Sequence, residues 1–208
     1  SSVVRRNGVN LATTFVSSAQ LNAVIPSGDL AAIGTASITV FTPAPGGGTS
    51  GALTFSVEYP TPAISALLPS SVNAGTPQIT LVVNGSGFYS GISQVRWNGA
   101  SLTTTFVSST QLTAVVPASL LAVNTTASVT VFNGAPGGGS SAASSFNVLN
   151  PIPVLILIGP AQVVAGDVGF TLNAVTFGAV ASSQIRFNGV PLSTSFVPVS
   201  NLSAFVPA

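Results

Sequence analysis

The stretch RWNGASLTTTFVSSTQLTAVVPA, residues 96–118, returns as RRNGVNLATTFVSSAQLNAVIPS at 5–27 and as RFNGVPLSTSFVPVSNLSAFVPA at 186–208. Side chains alternate along a strand, so SQVRWNG sets Val95 and Trp97 on one face and Arg96 on the other. The Asn98-Gly99 step that follows is the dipeptide a type I′ hairpin turn requires, because both central residues need φ above zero. SLTTTFV then returns and QLTAVVP runs on, each short and rich in β-branched residues. Upstream, QITLVVNG puts Ile79, Leu81 and Val83 on a common face, and downstream ASVTVFN and SSFNVL flank the loop GAPGGGSSA. Short alternating segments separated by turn residues predict a β-sandwich, with a single helical turn at most, in ASLLAV.

The anchors recur at fixed offsets: Asn7, Asn98 and Asn188; Pro26, Pro117 and Pro207; Pro62 and Pro153; Gly75 and Gly166. The period is 91 and then 90 residues. This predicts a partial repeat over 1–60 without its opening strands, a complete repeat over 61–151, and a partial repeat over 152–208 without its closing strands. The joints read EYPTPAI and LNPIPVL. Two prolines flanking one residue fix φ twice and predict stiff, extended connections between units set end to end.

Composition narrows the class. Hydrophobic residues make up 46% of the 208-residue chain, an ordinary share, but only 3% are charged and the net charge is +1, against roughly 25% charged in a typical soluble domain. Ser, Thr, Asn and Gly take the place of charge, so the surface is expected to be nearly indifferent to pH and salt. A mean hydropathy of +0.67 opposes disorder. The sequence has no Cys, His or Met and no Lys, so disulfides and Lys–Asn crosslinks are excluded and durability must come from core burial and assembly. The longest dense apolar run, VLILIG at 154–159, is far too short to span a bilayer as a helix. SSVVRRNG at the start has no apolar stretch of the kind a signal peptide carries, as in a mature or internal fragment.

PAISALLPSSVNAGTPQITLVVNGSGF (62–88), VRWNG (95–99) and SVTVFNGAPGGGSSAASSFNV (128–148), in that order and spacing, resemble the IPT/TIG domain in its bacterial tandem-repeat form. The resemblance implies an immunoglobulin-like fold. The third copy departs from it, with NAVTFGAV where the second has NGSGFYSG, keeping only Gly178 of the glycine pair. In the first copy Arg6 holds the inward position of Trp97 and Phe187, which requires either a slipped strand or an open face, since an unpaired buried guanidinium is costly. Domains of this family serve in receptors, transcription factors, starch-acting transferases and bacterial surface proteins, so the fold does not name the role.

Catalysis lacks its parts. The acids are Asp29, Glu58 and Asp167, none at equivalent repeat positions, and no His, Cys or Lys can act as base or nucleophile. Each acid reads as a solvated loop or linker charge. Zinc and calcium sites lack ligands, and no cofactor is expected. Arg5, Arg6, Arg96 and Arg186 are too few for a nucleic-acid surface. Arg5, Arg96 and Arg186 are repeat equivalents and read as outward strand residues, or as contacts between units to a carbonyl or an acid. Trp97 reads as core. Tyr89, in a turn, and Tyr59, at a joint, are the candidates for an exposed sugar platform. PGGGTS (45–50) and PGGGSS (136–141) lack the Lys and helix of a phosphate loop and read as mobile hairpin loops. Asn84, Asn124 and Asn201 are glycosylation sequons, relevant only in a host that uses them.

The expected function is a non-catalytic extracellular or cell-surface stalk, fibre or adhesin. It would self-associate, because edge strands without charge do not repel one another. The alternative is a carbohydrate-binding accessory module of a larger surface protein or enzyme. Bare apolar faces are expected in the two partial repeats, covered by further sequence of a longer chain or by strands from a neighbouring molecule. Residues 1–27 and 182–208 are equivalent, which counts against perfect mutual complementation and favours a longer chain.

Overall fold

A computed structural model describes residues 1–197 and 201–208; the PVS of the third copy of the phrase lies outside them. Among the described residues the chain is all-β apart from two short 3-10 turns, Ser27–Leu30 and Ala118–Leu121. It divides into two compact units, one of Ser1–Leu67, Val82–Ala114 and Val129–Ser144, the other of Leu68–Leu81, Val115–Ser128 and Ser145–Ala208. This division does not follow the sequence period, because the strands of the middle repeat contribute to both units.

The middle repeat has a sheet in the order Thr103–Ser108, Gln111–Val116, Ile79–Ser86, Ala63–Leu68. A second sheet runs Ala100–Ser101, Gln94–Trp97, Thr125–Asn133, Ser144–Leu149, Ser71–Asn73, with Gly139–Ser140 paired to Thr125–Asn133. The opening segment therefore serves both sheets, its second part lying parallel to Asn147–Leu149. The period-two alternation holds in detail. Leu81, Val83, Val95, Leu112, Val116, Val129, Val131 and Phe146 are fully buried, and Trp97 is 3% exposed.

The thrice-repeated phrase encodes a local device. Asn7, Asn98 and Asn188 take φ of 48°, 49° and 50°, and Gly8, Gly99 and Gly189 follow at 81°, 87° and 82°, the paired left-handed geometry of a type I′ turn. A threonine six residues after each Asn latches the returning strand. Thr104 Oγ1 accepts from Val95 N at 3.0 Å and donates to Leu102 O at 2.9 Å. Thr13 does the same with Val4 and Leu11, and Thr194 with Ile185 and Leu192. Each hydroxyl satisfies one backbone donor and one acceptor that the strand ladder leaves over.

The first repeat forms the sheet Val9–Asn10, Val3–Arg6, Gly34–Thr42, with Gly48–Thr49 and Leu53–Val57 also paired to Gly34–Thr42, and a hairpin of Ala12–Ser17 with Gln20–Val24. The third forms Val154–Gly159, Phe170–Phe177, Asn201–Val206, Thr194–Val197, and a short hairpin of Arg186–Phe187 with Val190–Pro191. Apolar faces are open in both. In the first, Val4, Leu21, Ile38, Val40 and Phe55 line a cavity of about 560 Å³. In the third, Leu155, Ile158, Leu172, Ile185 and Leu202 line one of about 540 Å³.

Arg6 resolves the choice posed by its inward position. Arg6 pairs with Ile38 as Trp97 pairs with Val129, so the strand has not slipped and the face is open. Its guanidinium also has a partner: Nη1 lies 3.1 Å from Asp29 Oδ1 and Nη2 donates to Asp29 O at 3.1 Å. Asp29 is thus an ion-paired residue, which corrects its reading as a solvated charge. Asp167 stays an exposed loop charge, as expected, and its Oδ2 accepts from Val164 N at 3.0 Å to close a turn.

Leu112 is fully buried while its equivalent in the first repeat, Leu21, is only half-buried. Trp97 is the only tryptophan, so its emission follows the middle repeat alone. Leu112→Ala is expected to destabilise that repeat by about 2–5 kcal/mol and lower the urea midpoint read by Trp97 fluorescence. Leu21→Ala should leave that midpoint in place.

Candidate functional site

Residues 58–62 connect the first repeat to the middle one, and they are fastened along their length. Tyr59 N donates to Pro136 O at 3.0 Å and Gly138 N donates to Tyr59 O at 2.7 Å, forming a parallel bridge between Tyr59 and Gly137. Thr61 Oγ1 donates to Gly138 O at 3.0 Å. Asn133 ties the other side: its Nδ2 donates to Pro60 O at 2.9 Å and to Gly87 O at 2.8 Å, and its Oδ1 accepts from Ser93 Oγ at 2.6 Å. The Asn133 side chain is fully buried, where an unmet amide would be expensive and a fully bonded one fixes geometry.

The PGGGSS segment is a hairpin loop, as expected, with Gly139 paired antiparallel to Asn133, but it is tied to the linker as a clasp and is not the mobile loop of the sequence reading. Its glycines are needed for contact as well as for φ. A Cβ on Gly137, at φ +69°, would lie 2.5 Å from Glu58 Cβ and 2.8 Å from Tyr59 O; one on Gly138 would lie 2.5 Å from Asn133 O. Glu58, read as a solvated linker charge, sits against this loop. At the matching glycine of the first repeat, Gly46, a Cβ would meet nothing within 4 Å.

A second contact recurs at both Pro-x-Pro joints. Gly87, at φ +73°, runs beneath the first linker, its would-be Cβ 3.4 Å from Pro62 Cα and 3.5 Å from Thr61 O. Gly178, at φ +78°, runs beneath the second, 3.2 Å from Ile152 O and 3.4 Å from Pro151 Cβ. The glycine kept by NAVTFGAV thus has the role it has in NGSGFYSG.

The two tyrosines meet at the first joint. The rings of Tyr59 and Tyr89 stand edge to face, with centroids 4.9 Å apart and planes at 67°, a favourable quadrupolar arrangement. Tyr89 is 37% exposed, but Tyr59 is half-buried and supports it from behind, which corrects its reading as a freely exposed side chain. The Tyr89 backbone is held by Ser93, through Tyr89 N to Ser93 Oγ at 2.8 Å and Ser93 N to Tyr89 O at 3.0 Å.

The repeat-equivalent arginines do other work. Arg96 lies with Cζ 3.8 Å from the centre of the Phe132 ring, and Arg5 lies 3.6 Å from that of Phe41. Each stacks on the diagonal neighbour in the adjacent strand, a cation–π contact of roughly 0.5–1 kcal/mol at such sites. Arg5 Nε also donates to Asn10 Oδ1 at 2.8 Å; Ser101 replaces Asn10 in the middle repeat, and Arg96 Nε is buried there without a partner. Arg186 is exposed. The structure does not bring these three arginines together with Tyr59 and Tyr89. Among the described residues no cluster of three or more His, Cys, Asp or Glu could hold a metal, and no helix is long and apolar enough to cross a membrane.

Asn133 was not singled out by the sequence reading. The signal was present, as the alternation of Val129 and Val131 carries on to place an amide at an inward position. Thr42 takes this position in the first repeat, where Ser2 Oγ meets Thr42 Oγ1 at 2.8 Å, but a hydroxyl, with one proton, cannot donate to a linker carbonyl and a turn carbonyl together. Asn133→Thr should therefore leave Pro60 O and Gly87 O unbonded and destabilise the middle repeat by about 1–3 kcal/mol, read as a lowered Trp97 unfolding midpoint.

The IPT/TIG domain model matches residues 62–148. No curated protein matches the sequence. Among solved structures the chain is similar to an amphioxus IgVJ-C2 molecule, at 12% identity and TM-score 0.36, covering 71% of this chain and 87% of that one. It is also similar to SGBP-B of the Bacteroides ovatus mixed-linkage glucan utilization locus, solved with a mixed-linkage heptasaccharide, at 15% identity and TM-score 0.32, covering 99% of this chain and 50% of that one. A chimeric titin Z1Z2 tandem aligns at 19% identity and TM-score 0.25, over 72% and 83% of the two chains. Residues 62–148, within the middle repeat of this chain, thus form an IPT/TIG domain.

Proposed function

We propose that this protein is a non-catalytic structural or adhesive element outside the cell, a stretch of tandem immunoglobulin-like repeats organised as 1–60, 61–151 and 152–208. The observation that carries this reading is the clasped linker. A connection held by four hydrogen bonds to the PGGG loop and Asn133 transmits force and orientation from one repeat to the next, which a loose tether does not. Chemistry has no corresponding support in the geometry, because the three acids are spent on an ion pair, a turn and a linker position.

Self-association has a surface to work with. Val154–Gly159 is an edge strand, and Val154, Leu155, Ile156, Leu157 and Ile158 are each at least 41% exposed. A bulge at Ile156 is the one blunting device the strand carries; it has no charge, which edge strands ordinarily use to refuse partners.

Two experiments test the reading. The chain has no cysteine, so spin labels at Ser37→Cys and Thr105→Cys report the first joint alone; a single narrow distance distribution is expected, broadening in Gly137→Ala, and a broad distribution in the parent would contradict the clasp. Sedimentation and electron microscopy should show concentration-dependent assemblies that disperse in Ile156→Lys, a residue with no cross-strand partner to lose. A parent chain that stays monomeric at every concentration would remove the assembly reading.

A further inference from the structure

Beside the first joint lies a cleft of about 490 Å³, lined by Ser86, Gly87, Phe88, Tyr89, Ser90, Phe106, Ser109 and Thr110. Its size falls within the roughly 300–1,000 Å³ of small-ligand sites. Tyr89 and Phe106 are 37% and 36% exposed, so two aromatic rings border a space that solvent reaches. The hydroxyls of Ser86, Ser90 and Ser109 make no hydrogen bond among the described residues, and no charged side chain lines the cleft.

The walls are fixed before any ligand arrives. Phe88 is 2% exposed and anchors the turn. Gly85 N donates to Thr110 O at 2.9 Å and Phe88 N to Ser109 O at 3.1 Å, which ties the two sides of the cleft together. Tyr89 is held by Ser93 through its backbone and by Tyr59 at its ring. Preorganised aromatic surface costs little to use on binding.

We propose that this cleft binds a neutral oligosaccharide, with Tyr89 and Phe106 against the C–H faces of the sugar and the serine hydroxyls meeting its hydroxyl groups. The chemistry favours this ligand over others: aromatic faces with uncommitted hydroxyls and no charge suit an uncharged polyol with apolar faces, and give an anionic ligand no counter-charge. The site belongs to the middle repeat. Phe15 and Phe196 stand at the repeat positions of Phe106, but the third repeat has Val180 where the second has Tyr89, bonded in the same way to Ser183 Oγ at 2.9 Å. The proposal is independent of the structural reading above, which stands or falls on the joint.

The test is calorimetric titration of the full chain with cellohexaose, maltohexaose, xylohexaose and mannohexaose, and with a proline-rich decapeptide as the competing chemistry. At least one oligosaccharide is expected to bind. Tyr89→Ala and Phe106→Ala should each weaken that binding about tenfold or more, while Tyr89→Phe retains it. Unchanged Trp97 emission and thermal midpoint establish that the variants are folded. Failure of all four sugars at millimolar concentration, binding that survives Tyr89→Ala in a folded protein, or binding of the peptide alone would each overturn the proposal.

Discussion

A single buried amide organises the most informative part of this molecule. Asn133 ends a run of inward-facing valines, and instead of extending the apolar core it donates to carbonyls of the linker and of the Gly87 turn while accepting from Ser93. Two segments far from it in sequence, the linker at Pro60 and the turn from Gly87 to Ser93, are thereby fixed to one side chain. The geometry of the glycine loop, the course of Pro60-Thr61-Pro62 and the placement of Tyr59 against Tyr89 all follow from that anchor. Because the amide is fully buried, the arrangement is close to all or none: a bond lost there is not replaced by water.

The near absence of charge makes such neutral hydrogen bonding the main source of specificity. In most domains, ion pairs and surface charge help to set register and refuse wrong partners. Here register comes from Asn-Gly turns and threonine latches, repeated three times, and orientation at the joint comes from amide, backbone and glycine contacts. The four arginines are absorbed by stacking on phenylalanine or by Asp29 where they are paired at all. What remains on the surface is hydroxyl, amide and apolar, a composition suited to extended contact with like surfaces or with uncharged polymers.

Much of the fold was legible because its determinants are local. The Asn-Gly dipeptides fix their turns without help from distant residues, and alternation assigns Val95, Trp97, Leu112 and Val131 inward whatever their partners are. The joint was less legible for the opposite reason. Asn133 and Pro60 are 73 residues apart in sequence, so nothing near PGGGSS reveals that a linker will lie across it, and three glycines in a row look like slack. Arg6 shows the middle case: its inward position could be read from the strand pattern, but the ion pair with Asp29 required the turn that brings residues 27–30 alongside. For the same reason Tyr59 could be placed at a joint but not against a ring, and the aromatic cleft could be suspected at Tyr89 but not completed with Phe106.

The central claim is that the linker between the first and middle repeats is part of the folded structure, and amide hydrogen exchange tests it most directly. Tyr59 N and Gly138 N each donate to a carbonyl across the joint, so their exchange is expected to be slowed to the range of strand amides such as Val131, opening only with the middle repeat. Exchange of these two amides at the rate of an unstructured peptide, with Val131 still protected, would show that the clasp does not hold in solution.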